Sequence, residues 1–321
     1  METRASHAVV VGGGLIGCTI ARALALEGVA VTVVDRAKVG REASHDAAGM
    51  LAPQSEAEAP GPFLDLCLES RALYPAFAEA LFAEVGSNVG YRDDGTYLIA
   101  FDDGEAARLE AMRARHEALG LASSLLSPAE ARRVEPALSP AARLVLSVPG
   151  DHQVDNRRLV EAVALSCFKR GVRMVENTPV RGIARDVAGR VCGVETTAGR
   201  LEADLVVVAA GSWCNFVGGF PVPVEPVKGQ MLMLELASPP FRHVLRSERC
   251  YVVPRIDGRV LIGAACFMLM LAMLYLVSSL FSPYSPLPGI AGLLYLATLV
   301  AARRATSLPI RPIPKMPRVL L

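Results

Sequence analysis

Three glycines and one carboxylate near the N-terminus carry the clearest chemistry in this chain. The sequence reads Ala8-Val9-Val10-Val11-Gly12-Gly13-Gly14-Leu15-Ile16-Gly17, continues as an apolar helix-like run to Gly28, and then gives a second apolar run ending in Asp35. Gly12 lets the chain turn sharply out of a strand, Gly14 lets backbone approach a pyrophosphate, and Gly17 lets a helix lie close on a sheet. The start of that helix offers unpaired N–H groups and a positive dipole end, an anion site that needs no lysine. Asp35, closing the second strand, can accept hydrogen bonds from both hydroxyls of an unphosphorylated ribose, as in FAD or NAD. The alternative is a glycine-rich turn without a ligand. The order strand, turn, helix, strand, acid weighs against it, because Gly-x-Gly-x-x-Gly by itself arises often by chance.

Two further segments could line the same ligand. Residues 40–53 are dominated by small side chains, among them Ala43, Ser44, Ala48 and Gly49, followed by no bulkier apolar residue than Met50 and Leu51. Small residues let backbone lie against a flat ligand and offer it N–H groups, although an ordinary helix start reads equally well. The run Asp204-Leu205-Val206-Val207-Val208-Ala209-Ala210-Gly211 has the pattern of a buried parallel strand that ends in small residues at a nucleotide crevice. With the N-terminal fingerprint present, a dinucleotide domain split along the chain accounts for it.

The elements that must position these residues follow from periodicity. Residues 64–82 and 105–119 have helical apolar spacing with charges on the other face. Residues 88–100 alternate around Asp93-Asp94-Gly95, which predicts a hairpin. Ser127-Pro128-Ala129-Glu130 has the cap, proline and acid order of a helix start. Asp155 or Asn156 can cap a helix over 157–170 that stops at Gly171. From 172 to 208 short strands alternate with turns at Asn177-Thr178-Pro179, Ala188-Gly189 and Ala198-Gly199. Residues 224–236 and 250–263 read as long strands of a separate antiparallel sheet, with a substrate held between it and the cofactor.

Composition narrows the class of protein. The chain has 321 residues and a net charge of +1, which gives no basic surface adapted to nucleic acid. Its seven cysteines are scattered, odd in number and without a Cys-x-x-Cys pair, as a reducing, cytoplasmic compartment favours, and they give no metal signal. The five histidines lack metal-ligand spacing as well. Met1 to Ser6 leads directly into the first strand, which is unlike a signal peptide.

Four separated motifs in order resemble the glycine oxidase (ThiO) branch of the D-amino-acid oxidase family of FAD enzymes. They are Gly12-Gly13-Gly14-Leu15-Ile16-Gly17-Cys18, the stretch from Glu42 through Ser44-His45-Asp46 to Pro53, Pro226-Val227-Lys228-Gly229-Gln230-Met231, and the stretch from Cys250-Tyr251 through Pro254-Arg255 to Ala264. The match covers about residues 8–265. The resemblance implies an α/β fold: an FAD-binding, Rossmann-like domain of the two-dinucleotide-binding type with an interleaved antiparallel-sheet substrate domain. FAD-binding parts would be about 1–85 and 150–215, and substrate-domain parts about 86–149 and 216–265.

The resemblance also implies roles. Leu15 and Ile16 would contact the FAD pyrophosphate through backbone, and Asp35 with Arg36 would hold the adenosine ribose. Ala43, Ser44, Ala48, Gly49 and Met50 match the loop beside the diphosphate and flavin, Val180 a strand residue whose backbone meets adenine, and Tyr251 the active-site tyrosine that orients the substrate carboxylate. The implied substrate is glycine, sarcosine or a small D-amino acid, oxidised to an imine that yields the oxo acid and ammonia. Molecular oxygen is the acceptor, hydrogen peroxide the product, and thiazole formation in thiamine biosynthesis the setting. Members of the family often form homotetramers, which implies a homo-oligomer. Read without the family, Tyr251 is a common half-buried strand residue, Trp213 can cover a cofactor or fill a core, and Lys228 sits in a solvated loop.

The resemblance stops near residue 265. No charged residue lies between Arg259 and Arg303, and no acid follows Asp257. The family's Gly-Leu-Arg-Pro-Gly and Arg-Asn-Gly motifs, whose arginines bind the substrate carboxylate, do not occur, so the implied fold is incomplete at its C-terminus. Residues 266–321 form an atypical hydrophobic and basic tail. One account is a frameshifted or rearranged end, leaving a catalytically impaired flavoprotein. Another is membrane association through 261–302: residues 261–281 are long and apolar enough for a hydrocarbon core of about 30 Å, 287–302 form a shorter segment, and Arg303 and Arg304 mark the cytoplasmic edge. The third is an unusual soluble core.

Overall fold

The computed structural model describes residues 6–264 apart from 58, 220–223, 225 and 228. The first strand, β1 (His7–Val11), is buried along its apolar run and leads through the glycine turn into α1 (Leu15–Leu26). β2 (Ala30–Val34) returns parallel to it, with Ala8 beside Val31 and Val11 beside Val34. The small-residue stretch then forms α2 (Ala43–Asp46), the two-residue strand β3 (Met50–Leu51) and the short helix α3 (Pro53–Glu56).

The amphipathic run expected over 64–82 is α4 (Pro62–Val85), which stops at Gly86 in the left-handed conformation (φ +72°). The hairpin expected over 88–100 does not form. Only β4 (Thr96–Ala100) is a strand there, while Arg92 makes an isolated bridge to Gln153. The physical reason is that both edges of the strand at Thr96–Ala100 are taken, on one side by the antiparallel run Leu144–Val148 and on the other by the parallel run Val244–Arg246, so no edge is left for residues 88–92. α5 (Asp103–Ala118) is capped by the Asp102 carboxylate, which accepts from the Glu105 N–H, and packs on β4.

β5 (Ser124–Leu126) precedes α6 (Pro128–Val134), where Ser127 and Glu130 form the expected reciprocal capping box. β6 (Leu144–Val148) and β7 (His152–Gln153) follow, then α7 (Asn156–Lys169), capped by Asp155 and ended at Gly171 (φ +75°) as the sequence predicts. β8 (Arg173–Val175) joins β2 in parallel. The three turns expected between 172 and 208 separate β8, β9 (Val180–Arg185), β10 (Val191–Thr196) and β11 (Gly199–Glu202), the last three forming an antiparallel sheet. β12 (Leu205–Val208) returns to lie parallel to β1, Leu205 beside Ala8, and a 3-10 helix (Gly211–Phe216) follows it.

The described part of the 224–236 run is β13 (Gln230–Glu235). After β14 (Val244–Arg246), the 250–263 run is two strands rather than one: β15 (Tyr251–Pro254) and β16 (Arg259–Ala264), folded back at Asp257-Gly258 with Gly258 at φ +88°. The β-period alone does not reveal this reversal, but the Asp-Gly pair is the residue signal for it.

The result is a four-stranded parallel sheet in the order β12-β1-β2-β8 and a seven-stranded sheet in the order β13-β16-β15-β14-β4-β6-β5, with a small antiparallel β3-β7 pair whose two strands flank β4 to β6 in sequence. The larger sheet is antiparallel except where β14 meets β4 in parallel, and that junction stitches residues 96–148 to residues 230–264. On the parallel sheet, Val10, Val31 and Val33 pack with Cys18 and Ala21 of α1, Leu81 of α4 and Leu159 and Val163 of α7. Its other side, Val9, Val11 and Val34, packs with Val194 and Val217. Among the described residues no helix is long and apolar enough to cross a membrane. The first four residues of the span expected over 261–302 lie in β16, and the rest of it, with Arg303, Arg304 and the tail 266–321, lies outside the described residues, as does Lys228.

Candidate active site

The glycine turn is built so that side chains cannot enter it. A Cβ at Gly12 (φ +105°) would stand 2.4 Å from the Ala209 carbonyl oxygen, and one at Gly17 would stand 1.9 Å from the Gly12 carbonyl oxygen. Gly14 caps α1 with extended backbone and no side-chain cap, and the first turn of α1 holds no acid. The amides of Ile16 and Gly17, in the first turn, have no intrahelical acceptor by helix geometry. The Leu15 N–H donates to Ser44 Oγ at 3.0 Å, which brings α2 against the turn.

Asp35 sits at the end of β2, and its carboxylate holds the turn in place. Oδ2 accepts from the Gly13 N–H at 2.6 Å and Oδ1 from the Ala37 N–H at 2.8 Å. Both bonds go to backbone amides, so the acid braces the phosphate-type turn as well as facing the cleft.

A cleft of about 240 Å³ opens above this turn, lined by Gly12, Gly14, Ile16, Asp35, Arg36, Ala43, Ser44, Val180 and Gly211 of the residues singled out from the sequence. Pro179, Ala209, Ala210, Trp213, Phe216 and Val217 complete its apolar end. The Arg36 guanidinium stacks over the Trp213 ring at 3.6 Å and pairs with Glu42. Trp213 therefore belongs to the cleft mouth, in contact with Phe216, and not to the core.

Leu15 and Gly17 do not line the cleft: Leu15 is tied to Ser44, and Gly17 stands against the Gly12 carbonyl. Ala48 and Met50 lie elsewhere, packed with Tyr251, Met231, Val244, Val253 and Leu261 in one apolar cluster. Gly49 (φ +69°) passes between them, where a Cβ would stand 2.0 Å from the Val154 carbonyl oxygen. The segment 43–50 thus lines the cleft at one end and meets Tyr251 at the other.

Tyr251 is half-buried on β15, opposite Gly263 of β16 and Arg246 of β14. Burial is the chief cause that pushes its phenol above the ordinary tyrosine range; Glu56 adds to the rise and Arg246 opposes it. At neutral pH the phenol is accordingly a hydrogen-bond donor. Arg246 pairs with Glu56 at 3.0 Å. Sequence reasoning missed Arg246, Glu56 and the Arg36–Trp213 stack; for Arg246 the available signal is the tight return from 246 to 251, which places the two side by side.

No carboxylate, histidine and cysteine group that could hold a metal occurs among the described residues. The donor set instead fits a dinucleotide: a Cβ-free turn, an acid-free helix start, a carboxylate at the end of the second strand and an apolar crevice for a flat base. A split parallel sheet that presents this turn beside a second, mostly antiparallel sheet defines a dinucleotide-binding protein of two sheets.

Comparison with known proteins specifies the family. The family model for FAD dependent oxidoreductases (DAO) matches residues 7–287, so the chain belongs to that family, and FAD is its cofactor. It is 38% identical over 266 residues to the bifunctional protein ThiO/ThiG of Synechocystis sp., a match covering 81% of this chain and 38% of that protein. It is 35% identical over 260 residues to the glycine oxidase of Geobacillus kaustophilus, covering 79% of this chain and 68% of the relative. The crystal structure of glycine oxidase from Geobacillus kaustophilus superposes with a TM-score of 0.76 at 34% identity, over 81% of this chain and 71% of that one. The chain thus spans from about two-fifths to about seven-tenths of the length of these relatives.

Proposed function

We propose that this chain binds FAD along the 43–50 segment and oxidises glycine, sarcosine or a small D-amino acid, with molecular oxygen as acceptor, in the thiazole branch of thiamine biosynthesis. The observation that carries the proposal is the continuity of that segment: Ala43 and Ser44 line the cleft over the glycine turn, while Ala48 and Met50 pack with Tyr251. A ligand anchored by its diphosphate at α1 and extended along 43–50 ends beside the phenol. When bound, the flavin supplies a two-electron acceptor for a hydride from the substrate α-carbon.

The protein residues then have separable tasks. Ile16 offers an unpaired amide to the pyrophosphate and Leu15 one that it shares with Ser44 Oγ, Asp35 and Arg36 take the ribose, Val180 the adenine, and Gly211 keeps the crevice wall free of a side chain. Tyr251, kept protonated by burial, donates to the substrate carboxylate. Val244, Val253 and Leu261 exclude water from beneath it. No side chain is needed as a general base, because glycine arrives with an amine that can lose its proton to solvent. The division into FAD-binding parts (1–85, 150–215) and substrate parts (86–149, 216–265), a cytoplasmic location and a homo-oligomer belong to the same proposal; the glycine oxidase relatives support its activity. The test is direct: the purified full chain should be yellow, should lose its visible flavin absorbance with glycine in the absence of oxygen, and should release peroxide in air. A colourless protein that takes up no FAD overturns the proposal.

A second reading is a flavoprotein that binds FAD without turnover. It is favoured by Arg246, the guanidinium beside Tyr251, which is committed to Glu56 rather than open to a carboxylate. Bound flavin that stays oxidised with glycine would establish it.

A further inference from the structure

We propose that Arg255 is a positioning residue that fixes the flavin-side loop at Ala48-Gly49 against the Tyr251 hairpin. The proposal rests on the reading that FAD extends along residues 43–50.

Arg255 follows directly on β15, four residues after Tyr251, and is only 3% exposed. A buried guanidinium is costly unless its donors are matched. Here the acceptors are carbonyl groups, not carboxylates. Nη1 donates to the Val154 carbonyl at 2.6 Å and to Gln153 Oε1 at 3.3 Å. Nη2 donates to the Ala48 carbonyl at 2.7 Å and to Asn156 Oδ1 at 3.3 Å. Nε is buried without a partner. Burial lowers the guanidinium to about 10, with Asp155 opposing the shift, so it remains a cation at neutral pH.

These bonds tie three segments together: the hairpin that bears Tyr251, the β7–α7 junction and the 43–50 segment. Asn156 extends the tie, because its Nδ2 donates to the carbonyls of Ser44 at 3.0 Å and His45 at 2.8 Å. The carbonyls of residues 44, 45 and 48 are therefore drawn toward α7 and Arg255. In a trans peptide the next N–H points opposite to the carbonyl, so anchoring Ala48 turns the Gly49 N–H away from Arg255. Gly49 is the residue this cradle requires. It has φ +69°, and a Cβ would stand 3.0 Å from Arg255 Nη2 as well as against Val154. A surface or purely electrostatic role would not need four buried donations, two to the backbone carbonyls of Ala48 and Val154 and two to the side-chain oxygens of Gln153 and Asn156; a flat-ligand wall held to the strand of its tyrosine does.

The experiment compares full-length wild type, Arg255→Met and Arg255→Lys. Amide hydrogen exchange over 43–50 is read without added ligand, FAD and ADP affinities are read by calorimetric titration, and thermal unfolding verifies that each variant is folded. Arg255→Met should speed exchange at 48–50 and weaken FAD by about tenfold or more, the loss expected for removing charged hydrogen bonds, while ADP, which needs only the turn and Asp35, keeps its affinity. Arg255→Lys should recover part of both. Equal weakening of FAD and ADP, or unchanged exchange at 48–50 in a folded variant, would overturn the role. If Arg255→Met does not fold, Arg255→Lys decides by the same two readouts. A wild type that binds neither ligand defeats the underlying reading of the cleft, whereas the exchange measurement still judges Arg255 by itself.

Discussion

The ring of Tyr251 lies directly on the α-carbon of Gly263, its partner across β15 and β16. A Cβ at 263 would stand 2.0 Å from Cζ and 2.1 Å from the phenol oxygen. The absence of a side chain on one strand thus determines where the phenol on the other can rest.

Gly263→Ala should consequently push the phenol off its seat. Overpacking of this kind costs about 1–3 kcal/mol, and the displaced donor should raise the KM for the amino acid more than it lowers kcat. Thermal unfolding and steady-state peroxide assays measure the two effects; an alanine variant with wild-type melting and KM would show that the ring has room to move.

Asp35 holds the glycine turn through Gly13 and Ala37 before any ligand arrives. Asp35→Ala should lower ADP affinity by about tenfold or more, since two amides lose a charged acceptor worth roughly 1.5–3 kcal/mol each at most. Asp35→Asn keeps one acceptor oxygen and should fall between the two. Calorimetric titration with ADP ranks the three proteins, and equal affinities would remove Asp35 from the site.

Trp213 is the single tryptophan and stands at the cleft mouth, 37% exposed beneath Arg36. Its emission should change when ADP or FAD enters, and Arg36→Ala should alter the spectrum of the free protein by releasing the stacked cation. A fluorescence titration that saturates with ligand and vanishes in Trp213→Phe is the expected result. A flat titration with proven binding would place the ligand elsewhere.

His116 is 1% exposed, shares a hydrogen bond with the Gln54 carbonyl through Nε2 at 3.0 Å, and leaves Nδ1 buried without a partner. Burial is the main cause that holds its folded-state titration below the ordinary value of 6.5. The unfolded chain therefore binds the proton first. Stability from this residue is complete above about pH 6.5 and declines as pH falls from there through the lower folded value. Denaturant midpoints measured from pH 7.5 down to about pH 5 should drop more steeply in wild type than in His116→Phe; parallel curves would assign the acid sensitivity to other groups.

What could be read from sequence was local. The Ser127–Glu130 box, the Asp155 cap, the Gly171 stop and the glycine turn each need only neighbouring residues, and each is present. Residues 88–100 misled because both edges of β4 are claimed by strands far along the chain, β6 and β14. The same distance hid the parallel contact of β14 with β4 and the grip of Arg255 on Ala48. Of the candidate site, the phosphate-type turn was legible from spacing. The convergence of Ala48 and Met50 on Tyr251 was not, since it depends on how two sheets meet.

β12 completes the parallel sheet beside β1, and the Ser6 amide just before β1 is held by Asp204, 198 residues later. At about 5–20 residues per second, a ribosome takes roughly 10–40 s to deliver that partner. During that interval β1 has an unfinished edge, and the crevice wall supplied by Ala209 and Ala210 does not yet exist. A crevice that needs Ala209 and Ala210 cannot be complete until β12 has been made. Stalled chains ending near residue 200 should remain protease-sensitive in α1, whereas chains that have cleared β12 from the exit tunnel should not.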